Sequence, residues 1–405
     1  MQAAISRAGG SGERPEGLDA RSALRFVIAF GVVSLFADMT YEGMRSISGP
    51  FLASLAATGT IVGLVAGTGE SLGYGLRWAA GELADRSGRY WPITLAGYGM
   101  QMFAVPALAL AGSWPAAAAL IILERIGKAL RSPPRSLMLS RAGEHVGQGW
   151  AFGLHEALDQ TGAVLGPLIA AGVLALRHDY HSAFAWLLAP ATATVLCVLT
   201  IRFRYPQAGR LPGPGAPQAD GAPPLPAVFR LYALGASLVA FGFADYALIS
   251  YHFVRASTVP AAWVPVFYAA AMAAAGAGSL VYGRLFDRYG LIVLVPATLL
   301  VALYPVLVFG GGAPLALTGT LLWGFGVGVH ETVASAAVSG MAPARWRARA
   351  YGIFAALFGL SWVAGSVALG ALYDASLTAT VAVAVGAQLC ALVPITLAWR
   401  RMRSD

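Results

Sequence analysis

Apolar residues run through this chain in blocks of about twenty, separated by short turns rich in glycine, proline and arginine. Twenty apolar residues is about the length a helix needs to cross the hydrocarbon core of a bilayer. That ruler predicts twelve spanning helices, over residues 24–46, 58–79, 92–112, 115–139, 150–176, 181–201, 229–252, 262–282, 291–311, 314–340, 350–373 and 378–399. The predicted fold class is an all-α membrane protein. Residues 1–23 carry charges and glycines without an apolar core, so they read as a cytoplasmic N-terminal tail and not as a cleaved signal peptide. Residues 202–228 contain a Pro-, Gly- and Ala-rich run from Tyr205 to Pro226, the composition of a flexible cytoplasmic linker. They divide the chain into an N-terminal half over 24–201 and a C-terminal half over 229–399, with a short tail over 400–405.

Composition agrees with that class. Only 11% of the 405 residues are charged and 58% are hydrophobic, against about 25% charged in a soluble domain, and the mean hydropathy is +0.67. A net charge of +8 would suggest nucleic acid in a soluble protein. Here the arginines sit in alternate loops instead: Arg86 and Arg89, Arg141, Arg202, Arg204 and Arg210, Arg284 and Arg288, Arg345, Arg347 and Arg349, then Arg400, Arg401 and Arg403. The intervening loops hold little beyond Arg177 and Arg255. By the positive-inside rule both termini are cytoplasmic, and no nucleic-acid partner is expected. Of the 27 basic residues only Lys128 is a lysine. Cys197 and Cys390 lie in apolar runs and imply neither a disulfide framework nor a metal site.

The chemistry concentrates in the N-terminal half. Ionisable groups at bilayer depth cost about 3 kcal/mol on insertion scales, so they face a bundle interior or an aqueous path. Glu124, Lys128, Arg131 and Arg135 share one helical face, as do His155, Asp159, Gly162 and Gly166. At about 1.5 Å rise per residue, Asp38, Glu70, Glu124, Arg125 and Asp159 can share one layer. Asp38, Glu124 and Asp159 are the candidate proton carriers, with Arg125 and Lys128 as partners and Glu42, Glu70, His155 and Glu156 completing the network. Arg131 and Arg135 lie near the cytoplasmic end, where an interfacial role competes with solute contact. The C-terminal half offers Asp245, His330 and Glu331 and aromatic residues; with Tyr41, Tyr74, Arg131, Tyr246, Trp323 and Trp362 these are the candidate cavity wall. Three other readings stay open. His155-Glu156-Ala-Leu-Asp159 imitates a helical zinc motif, but with Asp at the second ligand position and no third ligand, so no metal or cofactor is expected. The solute could be anionic or metal-bound, suited respectively to Arg125, Lys128 and Arg131 or to Asp38, Glu42, His155 and Asp159. The fold could also serve a non-transporting sensor.

The halves repeat each other. Gly81-Glu-Leu-Ala-Asp85-Arg86-Ser-Gly88 recurs as Gly283-Arg-Leu-Phe-Asp287-Arg288-Tyr-Gly290; Ala151-Phe-Gly153 recurs as Ala350-Tyr-Gly352, and Phe36-Ala-Asp38 as Phe243-Ala-Asp245, at offsets of 202, 199 and 207. Three ordered matches at a near-constant period argue for a duplicated fold with a site between its halves.

On these residues the chain resembles the major facilitator superfamily of secondary transporters, whose Gly-xxx-Asp-Arg-x-Gly signature follows the second and eighth spans. The resemblance implies two pseudo-symmetric six-helix halves, with Gly81, Asp85, Arg86 and Gly88, and Gly283, Asp287, Arg288 and Gly290, acting as a conformational lock. Gly162, Gly166 and Pro167 in the fifth span resemble the family's antiporter motif, which implies export against protons. Arg125 to Arg135, followed by Phe152 to Glu156, resembles a widespread bacterial subgroup of the superfamily. The implied protein is a monomer in the bacterial cytoplasmic membrane, its partners being the bilayer, a small-molecule solute and protons.

Overall fold

The structure is a computed structural model that describes residues 20–209, 225–341 and 347–404. Fifteen α-helices occur among the described residues: α1 Ala20–Ser54, α2 Gly59–Ser87, α3 Tyr90–Ala107, α4 Trp114–Val146, α5 Gln148–Arg177, α6 Tyr180–Trp186, α7 Leu188–Arg204, α8 Ala227–Gly242, α9 Tyr246–Arg255, α10 Val264–Tyr289, α11 Leu294–Val301, α12 Tyr304–Gly310, α13 Ala313–Met341, α14 Arg347–Ala375 and α15 Leu377–Ser404. Eight segments among those residues are long and apolar enough to cross a membrane, one of them running over 261–310. Helices α2 and α4 are 29 and 33 residues long but are interrupted by charge, Glu70 and Arg77 in one and Glu124, Arg125, Lys128, Arg131 and Arg135 in the other.

Local chemistry fixes the helix ends. Thr58 caps α2, accepting from the Ile61 amide, and Gly88 ends it at φ +61° in the left-handed region. Asp179 caps α6, accepting from the amides of His181 at 3.2 Å and Ser182 at 2.7 Å. Its hydrogen bonds, that with the Ser182 side chain foremost, hold this carboxyl down at about 2.

The predicted sixth and ninth spans are briefly interrupted, at Leu187 and at 302–303, and the predicted seventh span is not one helix. It breaks over 243–245 between α8 and α9, and neighbouring side chains satisfy the exposed peptide. Ala244 N donates to Tyr304 Oη at 2.7 Å, Tyr304 Oη donates to the Gly242 carbonyl at 3.3 Å, and Trp323 Nε1 donates to the Ala244 carbonyl at 2.9 Å. Irregular backbone at membrane depth survives only where protein or water satisfies it.

Within the first half α1 packs along α5 and α7, and α4 along α2 and α3; in the second, α10 packs on α13 and α8 on α14 and α15. Gly162 and Gly166 make the α1–α5 contact possible, because a Cβ there would lie 2.3 Å from the Leu35 carbonyl and 2.1 Å from that of Met39. The halves meet through α1 with α9, α2 with α14 and α5 with α10. On α2, Gly59, Gly63 and Gly67 form a small-residue stripe against Gly370, Ser366 and Val363 of α14. Above it the Asp374 carboxylate, at the end of α14, receives the first amides of α2: Gly59 N and Thr60 N each at 2.8 Å, with Thr60 Oγ1 at 2.7 Å. At this end the two halves share one continuous apolar cluster, from Phe51 and Val62 to Tyr251 and Leu369. At the opposite, arginine-rich end the first half has a separate cluster of its own around Phe26, Phe30, Trp91 and Tyr98.

Candidate functional site

A cavity of about 610 Å³ lies between the halves. Tyr41, Glu42 and Arg45 of α1, Glu70 and Arg77 of α2, and Arg125 and Lys128 of α4 form one wall. Phe243, His330 of α13, and Phe354, Phe358 and Trp362 of α14 form the other. Trp78 and Tyr351, both exposed, stand at the rim on the arginine-rich end. The opposite end is closed by the α1–α9 and α2–α14 contacts.

The polar wall is a network centred on Glu70. Its Oε1 lies 3.1 Å from Arg45 and 3.0 Å from Arg125. No hydrogen bond of good angle reaches that oxygen, so the pairing is mainly coulombic. Arg125 also donates to Tyr41 Oη and lies 3.5 Å from Glu124. Glu124 accepts from Gln101 Nε2 at 2.7 Å, and Gln101 Oε1 accepts from Arg131. Arg131 donates to Tyr98 Oη at 3.2 Å and lies over that ring. The network crosses to the other half at two points: Arg45 reaches Asp245 at 3.4 Å, and Tyr268 of α10 donates to Glu42.

A second recess of about 300 Å³ adjoins the cavity, sharing Arg77 and Lys128 with it; Asp38, Arg131, Arg135 and Asp159 complete its charged lining. Behind it His155 lies 3.1 Å from Ser34 Oγ and 3.5 Å from Asp159, and Arg135 donates to the same Ser34 at 3.1 Å. No third histidine, cysteine, aspartate or glutamate joins His155 and Asp159 among the described residues.

Several expected positions are elsewhere. Glu156 is exposed and accepts from Gln160 at 3.0 Å; one residue past His155, it points some 100° away. Trp323 and Tyr246 are fully buried outside the cavity: Trp323 supports the helix break, and Tyr246 donates to the Val264 carbonyl at 2.7 Å. Glu124 and His155 are buried behind the wall and do not line it. Asp245 reaches the site through Arg45 and at the same time caps α9, accepting from Ala247 N at 2.9 Å. An interfacial role for Arg131 does not hold, since it is 1% exposed and bound by Gln101 and Tyr98. The signature residues are bound locally: Asp85 accepts from Tyr90 Oη at 2.9 Å, and Arg86 pairs with Glu82 inside α2. Gly81 and Gly283 are not close-packed, since a Cβ there would meet its nearest neighbours only at 3.5 Å or beyond. The side chains of Tyr74 and Glu331 lie outside the described residues.

Sequence reasoning placed Trp362 in the cavity wall, as found, but missed Tyr268, Gln101 and the two rings that extend Trp362 into an aromatic stripe, Phe354 and Phe358. The stripe carried a readable signal, four-residue spacing on one helix. Gln101 was a lone amide in an apolar run.

A sequence profile described as Major Facilitator Superfamily matches residues 30–366. An uncharacterised protein of Mycobacterium tuberculosis is 42% identical over 398 residues, covering 96% of this chain and 95% of that protein. An uncharacterised transporter of the major facilitator type from Methanocaldococcus jannaschii is 28% identical over 157 residues, 38% of this chain and 39% of its own length. Among solved structures, the nucleoside transporter NupG superposes with a TM-score of 0.77 at 12% identity, covering 92% of this chain and 99% of that one. A peptide transporter, POT, superposes with a TM-score of 0.76 at 15% identity, covering 95% and 99%. A bacterial homologue of the human lysosomal transporter Spinster, inward-facing and occupied, gives 0.70 at 17% identity, covering 95% and 98%. At such identities the likeness is one of fold.

Proposed function

The chain belongs to the Major Facilitator Superfamily, and from that premise we propose that it is a secondary active transporter moving a small solute by alternating access, with protons as the coupling ion. In this reading the helices make twelve spans. The pairs α6–α7, α8–α9 and α11–α12 each act as one span, and the two six-helix halves are joined by residues 202–228. Arg86, Arg89, Arg202, Arg204, Arg284 and Arg288 all fall at one end, which supports cytoplasmic termini in a bacterial inner membrane. The protein acts as a monomer.

One observation carries the proposal: the cavity opens at the arginine-rich end, while at its closed end two polar links, Arg45 to Asp245 and Tyr268 to Glu42, tie the halves together. Both links depend on carboxylates. A proton on Asp245 removes the charge that attracts Arg45, and a proton on Glu42 converts an acceptor-only group into one that can also donate. Proton occupancy therefore biases which end is open, and that is the requirement for coupling. Asp38 and Asp159, beside the second recess, extend the same charge set. Gly162, Gly166 and Pro167 support export in exchange for protons as the direction.

The test is flux in proteoliposomes under an imposed pH gradient, screened over a panel of labelled small solutes. Exchange drives the transported solute toward the acidic compartment, and Asp245→Asn or Glu42→Gln removes the dependence on the gradient while the protein stays folded. Flux indifferent to the gradient would overturn the coupling, and accumulation on the alkaline side would overturn the direction.

A further inference from the structure

We propose that the transported solute is an amphipathic organic anion, its acidic head held at Lys128, Arg131 and Arg135 and its apolar body laid against the Phe354–Phe358–Trp362 stripe. This rests on the transporter reading and narrows it to a substrate class.

The first ground is a group of interior cations that no carboxylate contacts directly. Arg45 and Arg125 are both ion-paired, to Glu70 and to a second acid each. Lys128, Arg131 and Arg135 are not. Among the described residues no carboxylate oxygen lies within 4.0 Å of any of the three. Arg131 and Arg135 are bound by neutral groups, Gln101, Tyr98 and Ser34. The Lys128 ammonium stands 3.6 Å from the centroid of the Tyr41 ring, which gives a cation no counter-charge. It faces both the cavity and the recess. Asp38 and Asp159 line the recess but stand beyond ion-pair distance of all three. Cations desolvated without a direct ion pair are costly, and an incoming anion relieves that cost where a neutral or cationic solute cannot.

The second ground is the opposite wall. Phe354, Phe358 and Trp362 follow one another at ring separations of 5.7 and 5.8 Å and present a continuous apolar face. Two nitrogens interrupt it: Trp362 Nε1 and His330 Nε2 are buried without a hydrogen-bond partner. They suit a solute whose aromatic or aliphatic body carries an occasional polar atom. A space of about 610 Å³ accepts a molecule of drug-like size. A small inorganic anion would satisfy the cations and leave the aromatic wall empty.

Binding of three matched probes to the purified full chain in nanodiscs tests this without any gradient. The probes are naphthaleneacetate, its neutral amide and naphthylethylamine, and tryptophan fluorescence reads their affinities. The carboxylate is expected to bind at least about tenfold tighter than the amide, the value of one charge-assisted contact, and the amine not to bind. Lys128→Gln should cost the carboxylate about tenfold and leave the amide unchanged, while Lys128→Arg restores the carboxylate. Trp362→Leu should weaken carboxylate and amide together. Unfolding midpoints within a few degrees of wild type establish that each variant is folded. Equal affinities for the three probes, no binding of any, tightest binding of the amine, or equal losses for carboxylate and amide in Lys128→Gln would each overturn the proposal. Anion binding without gradient-driven flux would uphold it and sink the coupling; gradient-driven flux of a cation would do the reverse.

Discussion

Gly63 sits at a close approach of the two halves at the closed end, and Gly63→Ala should open that end. A methyl group at this position would lie 2.1 Å from the Ser366 carbonyl oxygen and 2.9 Å from its carbon. Both are backbone atoms of α14, so no side-chain rotation can relieve the clash. Ordinary contact begins near 3.4 Å, so α2 and α14 must part by about 1.3 Å at this point. The hydrogen bonds from Gly59 and Thr60 to Asp374, now 2.7–2.8 Å, would then stretch past useful length. Overpacking of this kind costs about 1–3 kcal/mol, and losing a helix cap about 1 kcal/mol. A bias of at least about 2 kcal/mol against the closed end is about a thirtyfold change in population. Alanine's better helix propensity, about 1 kcal/mol, acts on α2 in either state and does not offset the bias. Spin labels at positions 54 and 375, in a background where Cys197 and Cys390 are replaced, report the separation of the halves at this end by pulsed electron resonance. A longer-distance population should appear in Gly63→Ala and not in Gly75→Ala, where nothing lies within 4 Å of an added Cβ. An unchanged short distance in both variants would refute the reasoning.

Three further outcomes are expected. Arg45→Gln strands the buried Asp245 carboxylate and should destabilise by about 3–5 kcal/mol; Asp245→Asn leaves Arg45 paired with Glu70 and costs less, and the double variant costs less than their sum, as a thermal-unfolding double-mutant cycle will register. Tyr304→Phe leaves the Ala244 amide without its acceptor and should cost about 1–3 kcal/mol in unfolding free energy with no change in probe binding. Asp179 is held down at about 2 by its hydrogen bonds, below its ordinary range, so its contribution is complete above about pH 4 and fades as pH falls toward 2. Asp179→Ala should lower stability by about 1 kcal/mol at neutral pH and flatten the stability profile across that acid window.

Hydropathy located nearly every helix, because burial in lipid demands apolar length and nothing else supplies it. It missed the break over 243–245: Phe243 and Ala244 are as apolar as the helix around them, and Asp245 reads in sequence as a cavity residue and not as the cap of a new helix. What permits the break is a hydroxyl and an indole more than 55 residues away, Tyr304 and Trp323. Helical spacing brought Glu124, Arg125 and Lys128 onto one helix and put His155 beside Asp159 on one face of the next. It failed for Trp323 and Tyr246, because aromatic identity says nothing about whether a ring faces a cavity or a neighbouring peptide. The Arg45–Asp245 link was out of reach altogether. Its partners are 200 residues apart, so no local pattern carries it. The charged wall was therefore legible as a set of residues, but its bridge into the other half was not.

The broken span joins those two outcomes mechanically. Ala244 is gripped through both its N–H and its carbonyl, so the bend is braced against its neighbours on both sides. Helices α8 and α9 then behave as a single crank with a fixed elbow. α1 bears on the α9 arm, while α8 rests on α14 and α15. Any displacement delivered at Arg45 and Asp245 is thus carried around the corner to the far arm of the crank instead of being absorbed at the joint.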